Sequence, residues 1–283
     1  MYDSSLIYIL LILVASIFAG IIGSLAGLGG GVLIVPFLTL YFRIPISLAI
    51  GASIVSVIAT SSGSASAYVK DKISNIRVGT FLVLFTTTGA ILGAFLEHIA
   101  PAKIIYITFG IVLLISIIPM IRKLGSEVPE AVKNSPFAEK MSLNSTYHDT
   151  ILKRDIKYNV TGMKSGSAIM FIAGIISGLL GIGSGVFKVI AMDIAMKLPI
   201  KVSTTTSNFM IGVTAAASAG IYFFGGDVNP FIAAPVAIGA LVGAMTGTKI
   251  LMKIRSSTVR KIFAVIILVV AIEMLLNGVG LRV

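Results

Sequence analysis

A glycine-rich segment that occurs twice constrains this chain most. Residues 19–32, AGIIGSLAGLGGGV, return 154 positions later as residues 173–186, AGIISGLLGIGSGV. The same offset aligns residues 19–118 with residues 173–272 without a gap, and 24 of those 100 pairs are identical. The chain therefore contains an internal duplication. In a membrane protein, Gly-interrupted apolar segments at matching positions of two halves indicate a transporter's binding site.

The composition places the chain in a membrane. Of its 283 residues 57% are hydrophobic and only 12% are charged, and the mean hydropathy is +1.05. Soluble domains carry about 25% charged residues, so this chain cannot cover a water-facing surface. The net charge of +11 fits basic cytoplasmic loops rather than nucleic-acid binding. The absence of cysteine excludes disulfides and thiol catalysis.

The apolar segments predict an all-α polytopic membrane protein made of two repeats. Residues 1–121 form the first transmembrane repeat, residues 122–164 a polar linker and residues 165–283 the second repeat. Each repeat has five apolar segments, and the second of them is short for a full span. We therefore expect the first two segments of each repeat to be broken or to form a hairpin at a glycine-rich turn. No basic flank precedes the first segment, which indicates a retained helix rather than a signal peptide.

Loop charges predict that the two repeats have opposite orientations. Between segments three and four, the first repeat carries Lys70, Lys72 and Arg77, whereas the second carries only Asp227. Between segments four and five the second repeat is the basic one, with Lys249, Lys253, Arg255, Arg260 and Lys261. Because basic loops stay in the cytoplasm, this pattern is typical of an inverted-topology repeat. It places both termini outside and the linker in the cytoplasm.

The glycine clusters are the first candidate binding elements. Several adjacent glycines disfavour a helix, and a helix that restarts after a break presents free N–H groups to an anion. The predicted substrate-binding residues of the two turns are Gly29, Gly30, Gly31, Gly183, Ser184 and Gly185. The alternative is that these glycines only allow close helix contact.

Lys188 is the second candidate. It lies one turn beyond the second glycine cluster, where the first repeat has Ile34. A cation inside the membrane is costly and is a functional hypothesis by default, so we expect Lys188 to bind an anionic substrate. The alternatives are an ion pair with Asp193 or a side chain that reaches the membrane surface.

Polar residues of the third segments complete the predicted site. Ser53 and Ser207 are equivalent under the offset, and Asn208 follows Ser207. Scattered serines often bond to their own helix carbonyls, but an amide is harder to satisfy in that way. His98 and His148 are expected to be solvated rather than metal ligands. Because no paired catalytic carboxylates, Ser–His arrangement or metal cluster is apparent, we predict no metal, no cofactor and no enzyme. A scaffold is not expected either, because glycine-broken segments would have no purpose in one.

At these residues the chain resembles the TauE/SafE family of membrane permeases, also called the sulfite exporter family. The resemblance rests on residues 27–36, GLGGGVLIVP, on their second copy at 181–190, on Leu198-Pro199 and on residues 206–210, TSNFM. The second copy departs from the pattern at Ser184 and Ile190. The resemblance implies transport of sulfur-containing anions such as sulfite, thiosulfate or organosulfonates across a prokaryotic inner membrane.

The expected function is export of such an anion by alternating access at a midplane site between the two glycine breaks. An anion channel or facilitator, or an uptake permease for another small anion, remains the alternative. Intramembrane carboxylates are scarce, with Asp193, Glu273 and Glu97 as the candidates, which argues against a coupling cation. The expected partners are a small anion and the lipid bilayer, with no nucleic acid, and a homo-oligomer is left open.

Overall fold

A computed structural model describes residues 2–26, 30–70, 73–121, 135–149, 154–251 and 256–281. The secondary structure is almost entirely helical. The helices of the first half are α1 (Tyr2–Ala26), α2 (Gly31–Leu40), α3 (Ile46–Lys70), α4 (Ile76–Ile99) and α5 (Ala102–Ile121). The linker contains α6 (Pro136–Lys140), β1 (Ser145–Asp149) and β2 (Arg154–Tyr158). The second half contains α7 (Met163–Leu180), α8 (Gly185–Ile190) with a π-helical turn (Ala191–Ala195), α9 (Ile200–Phe224), α10 (Pro230–Leu251) and α11 (Ser256–Val279).

The helices confirm an all-α polytopic membrane protein. Within the described residues, five helices are long and apolar enough to cross a bilayer, namely α1, α4, α7, α9 and α10. Their outward faces carry large apolar side chains, such as Leu84, Phe95 and Ile238, which are more than half exposed. In water such a surface would be unstable, whereas lipid tails solvate it.

The first two helices of each half form an antiparallel hairpin. In the first half, the hydroxyl of Tyr8 donates to the carbonyl of Phe42 at 3.1 Å, which brings the start of α1 to the end of α2. In the second half, the N–H of Thr161 donates to the carbonyl of Met196 at 3.2 Å. In the second half the glycine-rich turn lies at the far end of the hairpin, between α7 and α8, whereas residues 27–29 of the first half lie outside the described residues.

The two halves pack against each other reciprocally. Gly20 of α1 approaches the backbone of Ala240 in α10, and the equivalent Gly174 of α7 approaches the backbone of Thr86 in α4. Thr86 and Ala240 are themselves related by the offset of 154. At both crossings a Cβ on the glycine would collide with a carbonyl oxygen, so only glycine permits this approach. The duplication is therefore present in the packing as well as in the sequence.

Helices α3 and α9 lie together at the centre and run in opposite directions. Gly51, near the start of α3, contacts the backbone of Asp227, just beyond the end of α9. At the other end, the N–H of Asn75, just beyond α3, donates to the hydroxyl of Thr206 near the start of α9 at 3.0 Å. These two helices, which are equivalent under the offset, are thus antiparallel to each other.

The linker forms a small structure on one end of the bundle. Its strands pair in antiparallel register, with Tyr147 opposite Ile156, and their inward side chains join an apolar cluster with Val78 and Met196. The Nδ2 of Asn75 holds the linker by donating to the carbonyl of Leu143 at 2.8 Å and to the hydroxyl of Tyr158 at 3.0 Å. The sequence predicted a polar connector but not this hairpin, because its alternation of apolar residues is too short to stand out.

Candidate functional site

The start of α2 meets the second glycine-rich turn inside the protein. Gly31, the first residue of α2, lies so close to the second turn that a Cβ there would be 3.0 Å from the carbonyl oxygen of Gly181 and 2.8 Å from the hydroxyl of Ser53. Ser53 itself donates to the Gly181 carbonyl at 2.8 Å. The start of α2 and the second turn, 150 residues apart in the chain, therefore both lie against Ser53 of α3.

The second turn has a backbone that favours glycine. Gly181 and Gly183 have φ of 65° and 70°, and Ser184 is also left-handed with φ of 44°. A left-handed non-glycine residue is unusual, and a hydrogen bond from the Ser184 hydroxyl to the carbonyl of Ala173 at 2.6 Å holds it there. Ser184 is 3% exposed. Its side chain therefore fastens the turn to the preceding helix.

The first turn is described only from its end. Gly30 is buried and right-handed and forms the N-cap of α2, while Gly29 lies outside the described residues. The first N–H groups of a helix have no intrahelical partner. The start of α2, with backbone groups that lack an intrahelical partner, therefore lies beside Gly181 of the second turn.

The polar residues of α9 behave differently from one another. Ser207 donates to the carbonyl of Gly185 at 3.2 Å, so it contacts the second turn as its equivalent Ser53 does. Asn208 is half-buried, and its backbone carbonyl accepts a hydrogen bond from Ser61 at 2.5 Å. The hydroxyl protons of Ser53, Ser184 and Ser207 are all donated to backbone carbonyls. In this conformation they shape the turns rather than offer protons to a ligand.

Lys188 is wholly buried, with 0% of its surface exposed. Its Nζ donates to the hydroxyl of Thr214 in α9 at 3.1 Å, and that hydroxyl lies 3.1 Å from the hydroxyl of Thr86 in α4. Among the described residues it forms no ion pair, with Asp193 or any other carboxylate. The ammonium therefore lies among three helices with hydroxyl oxygens as its polar surroundings, and it does not reach the surface.

Thr86 and Thr214 were not predicted as site residues. Two signals in the sequence point to them: Thr214 is equivalent to Thr60 under the offset, and Thr86 opens a run of three threonines in an apolar helix. A threonine in a helix usually bonds to its own backbone, and Thr214 does so with the carbonyl of Met210 at 2.7 Å. What distinguishes it is its contact with Lys188, which the sequence does not reveal.

Comparison with known proteins yields one family and several relatives. A family profile described as "Sulfite exporter TauE/SafE" matches residues 12–274. The chain is 28% identical to "Probable membrane transporter protein YunE" of Bacillus subtilis (strain 168), over 95% of this chain and 98% of that protein. It is also 28% identical to "Probable membrane transporter protein YdhB" of the same organism, with 85% and 89% covered. A "Probable membrane transporter protein" of Methanocaldococcus jannaschii is 27% identical, with 94% and 95% covered. No solved structure matches the chain significantly.

Proposed function

Because this chain belongs to the TauE/SafE sulfite exporter family, we propose that it exports small sulfur-containing anions, such as sulfite, thiosulfate or organosulfonates. The family and the named relatives make it a membrane transporter. What we propose beyond this is which anion the protein transports and in which direction. An inside-negative potential supports export, because it favours the exit of an anion by about 2.3 kcal/mol per charge per 100 mV.

The observation that carries the proposal is the burial of Lys188. Burying an ammonium without a carboxylate partner costs several kcal/mol. Charged residues inside membrane proteins are therefore rare and mostly belong to functional sites. Thr86 and Thr214 supply hydroxyl oxygens but no negative charge. An entering oxyanion would neutralise the ammonium. The site is therefore suited to an anion and opposes the entry of a cation.

We place the anion between Lys188 and the meeting point of the two glycine turns. The first-turn N–H groups of α2 and the ammonium would bind its oxygens, while Ser53 and Ser207 hold the turns in place. Of the site residues predicted from the sequence, we propose Gly29, Gly30, Gly31, Gly183, Gly185, Lys188 and Asn208 as substrate contacts, and Ser53, Ser184 and Ser207 as the residues that hold the turns around the substrate.

Transport by alternating access follows from an inverted repeat, which we propose for this chain. The antiparallel course of α3 and α9 and the reciprocal contacts of Gly20 and Gly174 support it. In transporters of this kind one repeat rocks against the other around a fixed site near the midplane. The site proposed here lies at the contact between the halves, where such a movement would expose it to either side in turn.

Flux measurements in proteoliposomes test the proposal. Lys188→Met keeps the length of the side chain and removes its charge, so we expect sulfite flux to fall to the level of empty liposomes. Lys157→Met, at an exposed position in β2, is the matched control and should keep wild-type flux. Wild-type flux in Lys188→Met would contradict the proposed site.

Counterflow separates a transporter from a channel. A transporter loaded with unlabelled sulfite should accumulate labelled sulfite transiently and should saturate, whereas a channel shows neither behaviour. Repeating the assay with thiosulfate, an organosulfonate and chloride identifies the anion class. If only chloride moves, the sulfur-anion assignment is wrong.

A further inference from the structure

A histidine lies between two carboxylates at the end of the bundle away from the linker. Glu97 and His98 are in the last turn of α4, and Asp227 lies in the turn between α9 and α10. Among the described residues, neither acid forms an ion pair with a lysine or an arginine. The other titratable side chain in the described contacts of His98 is Tyr222 of α9, with 5.6 Å between the ring centroids. The protonation of this cluster is therefore decided by its own members.

The Nδ1 atom of His98 carries a proton. It lies 3.0 Å from the carbonyl oxygen of Ala94 and 3.4 Å from Oε2 of Glu97, and a carbonyl oxygen only accepts hydrogen bonds. Oε2 has no hydrogen-bond partner among the described residues, whereas Oε1 of the same buried acid accepts from Ser47 at 2.6 Å. A neutral imidazole has a single N–H, and in His98 that N–H is at Nδ1.

The Nε2 atom, on the other side of the ring, faces Asp227. It lies 2.9 Å from Oδ2 of Asp227, which is the distance of a hydrogen bond. A neutral ring with its proton on Nδ1 presents a lone pair at Nε2, and an ionised carboxylate also presents only lone pairs. Two such atoms repel each other at this distance. The contact therefore requires one further proton, which His98 or Asp227 can hold.

This contact joins the two halves of the chain. His98 lies in α4 of the first half, and Asp227 lies in the second half. Under the 154 offset the three members of the cluster correspond to apolar residues, namely Leu251, Met252 and Ile73. The duplication therefore provides no equivalent acid or histidine at these positions, and the cluster belongs to one end of the bundle.

Tyr222 connects the cluster with the second glycine turn. Its side chain is wholly buried, and its hydroxyl donates to the carbonyl of Gly178 at 2.5 Å. Gly178 lies in α7, three residues before Gly181, where the second turn begins. The side chain that packs beside His98 therefore also contacts the helix that leads into the proposed binding site.

From this geometry we propose that His98 and Asp227 form a proton-binding site, and that the bound proton holds the end of α4 to the turn between α9 and α10. The proton comes from water at this end of the bundle, because the His98 and Asp227 side chains are 29% and 19% exposed. When it returns to water, the two acceptors repel each other and the turn separates from α4. The use of this movement in transport rests on the alternating access proposed above, whereas the proton site does not.

The distance between the turn and the end of α4 tests the proposal. Because the chain has no cysteine, spin labels can be attached at Ala102→Cys, just after α4, and at Phe231→Cys, just after the turn, both at exposed positions. Electron paramagnetic resonance in lipid nanodiscs gives the distance between the labels over a pH series from about 5 to about 9, which includes the range in which histidines change charge. We expect one short distance at the acid end. At the alkaline end the distance should be longer by more than the width of that peak.

Two variants should remove this pH dependence in opposite ways. In Asp227→Asn the side-chain amide donates to Nε2 without a further proton, so we expect the short distance throughout the series. In Gly225→Ala the methyl group would overlap Nε2 of His98, so we expect the long distance throughout, although no titratable group has changed. Gly225 is exposed and has φ of −71°, which alanine adopts readily.

The chain provides a matched control in its other histidine. His148 forms an exposed pair with Asp155 at 2.7 Å, and His148→Gln should keep the wild-type response. Size-exclusion profiles establish that each variant is folded, and if Gly225→Ala is not, Asp227→Asn decides. A constant distance in the wild type, a pH-dependent distance in Asp227→Asn, or loss of the response in His148→Gln would overturn the proposal. The distances are measured without substrate, so the result does not depend on which anion is transported.

Discussion

Ser53 donates a hydrogen bond to the carbonyl oxygen of Gly181 at 2.8 Å, although 128 residues separate them in the chain. Its equivalent in the second half, Ser207, donates to Gly185 at 3.2 Å. Both serines therefore stabilise the second glycine turn, from opposite halves. The two hydroxyls are equivalent under the duplication, and both form hydrogen bonds with the hairpin that contains Lys188.

We expect Ser53→Ala to destabilise the protein by about 1–3 kcal/mol, because it leaves the buried Gly181 carbonyl without its donor. Thermal unfolding in detergent measures the change. Thr88→Ala is the matched control, since Thr88 is exposed and bonds only to carbonyls of its own helix in the described contacts. Equal stability of the two variants would show that the contact between Ser53 and Gly181 contributes nothing.

The close contact between Gly31 and the second turn leads to a second prediction. A methyl group there would lie 2.8 Å from both the Ser53 hydroxyl and Val57, and 3.0 Å from the Gly181 carbonyl, so the hairpins must separate. We expect Gly31→Ala to reduce sulfite flux at least ~10-fold, because small displacements in a binding site have effects of this size.

Gly220→Ala is the control for Gly31→Ala. Gly220 also lies within a helix, but a methyl group there would meet nothing within 4 Å. Helix propensity alone then predicts a gain of up to about 1 kcal/mol in stability and unchanged flux. If both variants transport normally, the contact between the turns is not needed for function.

The sequence did not indicate that Gly20 contacts Ala240 or that Gly174 contacts Thr86, although the offset of 154 residues relates the two pairs. It did predict the duplication itself, and the short second segments with the glycines between segments predicted that the first two segments of each half are broken or form a hairpin. These features could be predicted because helix length, glycine placement and repetition are properties of local sequence.

The features that the sequence did not predict depend on contacts between distant segments. The partners of Lys188 are hydroxyls on α9 and α4, and nothing near Lys188 in the chain indicates them. His98 was expected to be solvated, but Asp227 lies 2.9 Å from it because the turn after α9 folds against the end of α4. Such pairings arise only when helices far apart in sequence pack together.

The buried charge of Lys188 predicts a conflict between stability and function. Burying an ammonium costs several kcal/mol of desolvation free energy, and a methionine of similar volume does not pay this cost. We therefore expect Lys188→Met to unfold at a higher temperature than the wild type in detergent, although its sulfite flux is lost. Lys157→Met should change stability by no more than about 0.5 kcal/mol. A destabilised Lys188→Met would instead show that the contact between Lys188 and Thr214 holds the fold together.

The linker predicts a pH dependence through Tyr158. Burial raises the pKa of the Tyr158 phenol above its ordinary value of 10.0, and the hydrogen bond with Asn75 offsets only part of this shift. An undocked phenol ionises first as the pH rises, so docking of the hairpin is fully stable below about pH 10 and is lost as the pH rises through the raised pKa. Subtilisin, which cleaves at alkaline pH, should therefore cut residues 154–158 faster in that range. Tyr158→Phe should lose this pH dependence, and an unchanged dependence would assign it to another group.

The proposed inverted topology places the linker in the cytoplasm and the turn between α4 and α5 outside. Because the chain has no cysteine, single cysteines report their location without background. Ala102→Cys and Lys140→Cys are at exposed positions, one beside the turn that follows α4 and one at the end of α6. A membrane-impermeant maleimide should label Ala102→Cys in intact spheroplasts and Lys140→Cys only after permeabilisation. Labelling in the reverse order would place the basic linker outside, against the charge bias of membrane proteins. If both cysteines are labelled in intact spheroplasts, the two ends of α4 lie on the same side of the membrane, because one end is next to Ala102 and the other is next to the linker. That result would contradict a membrane-spanning α4.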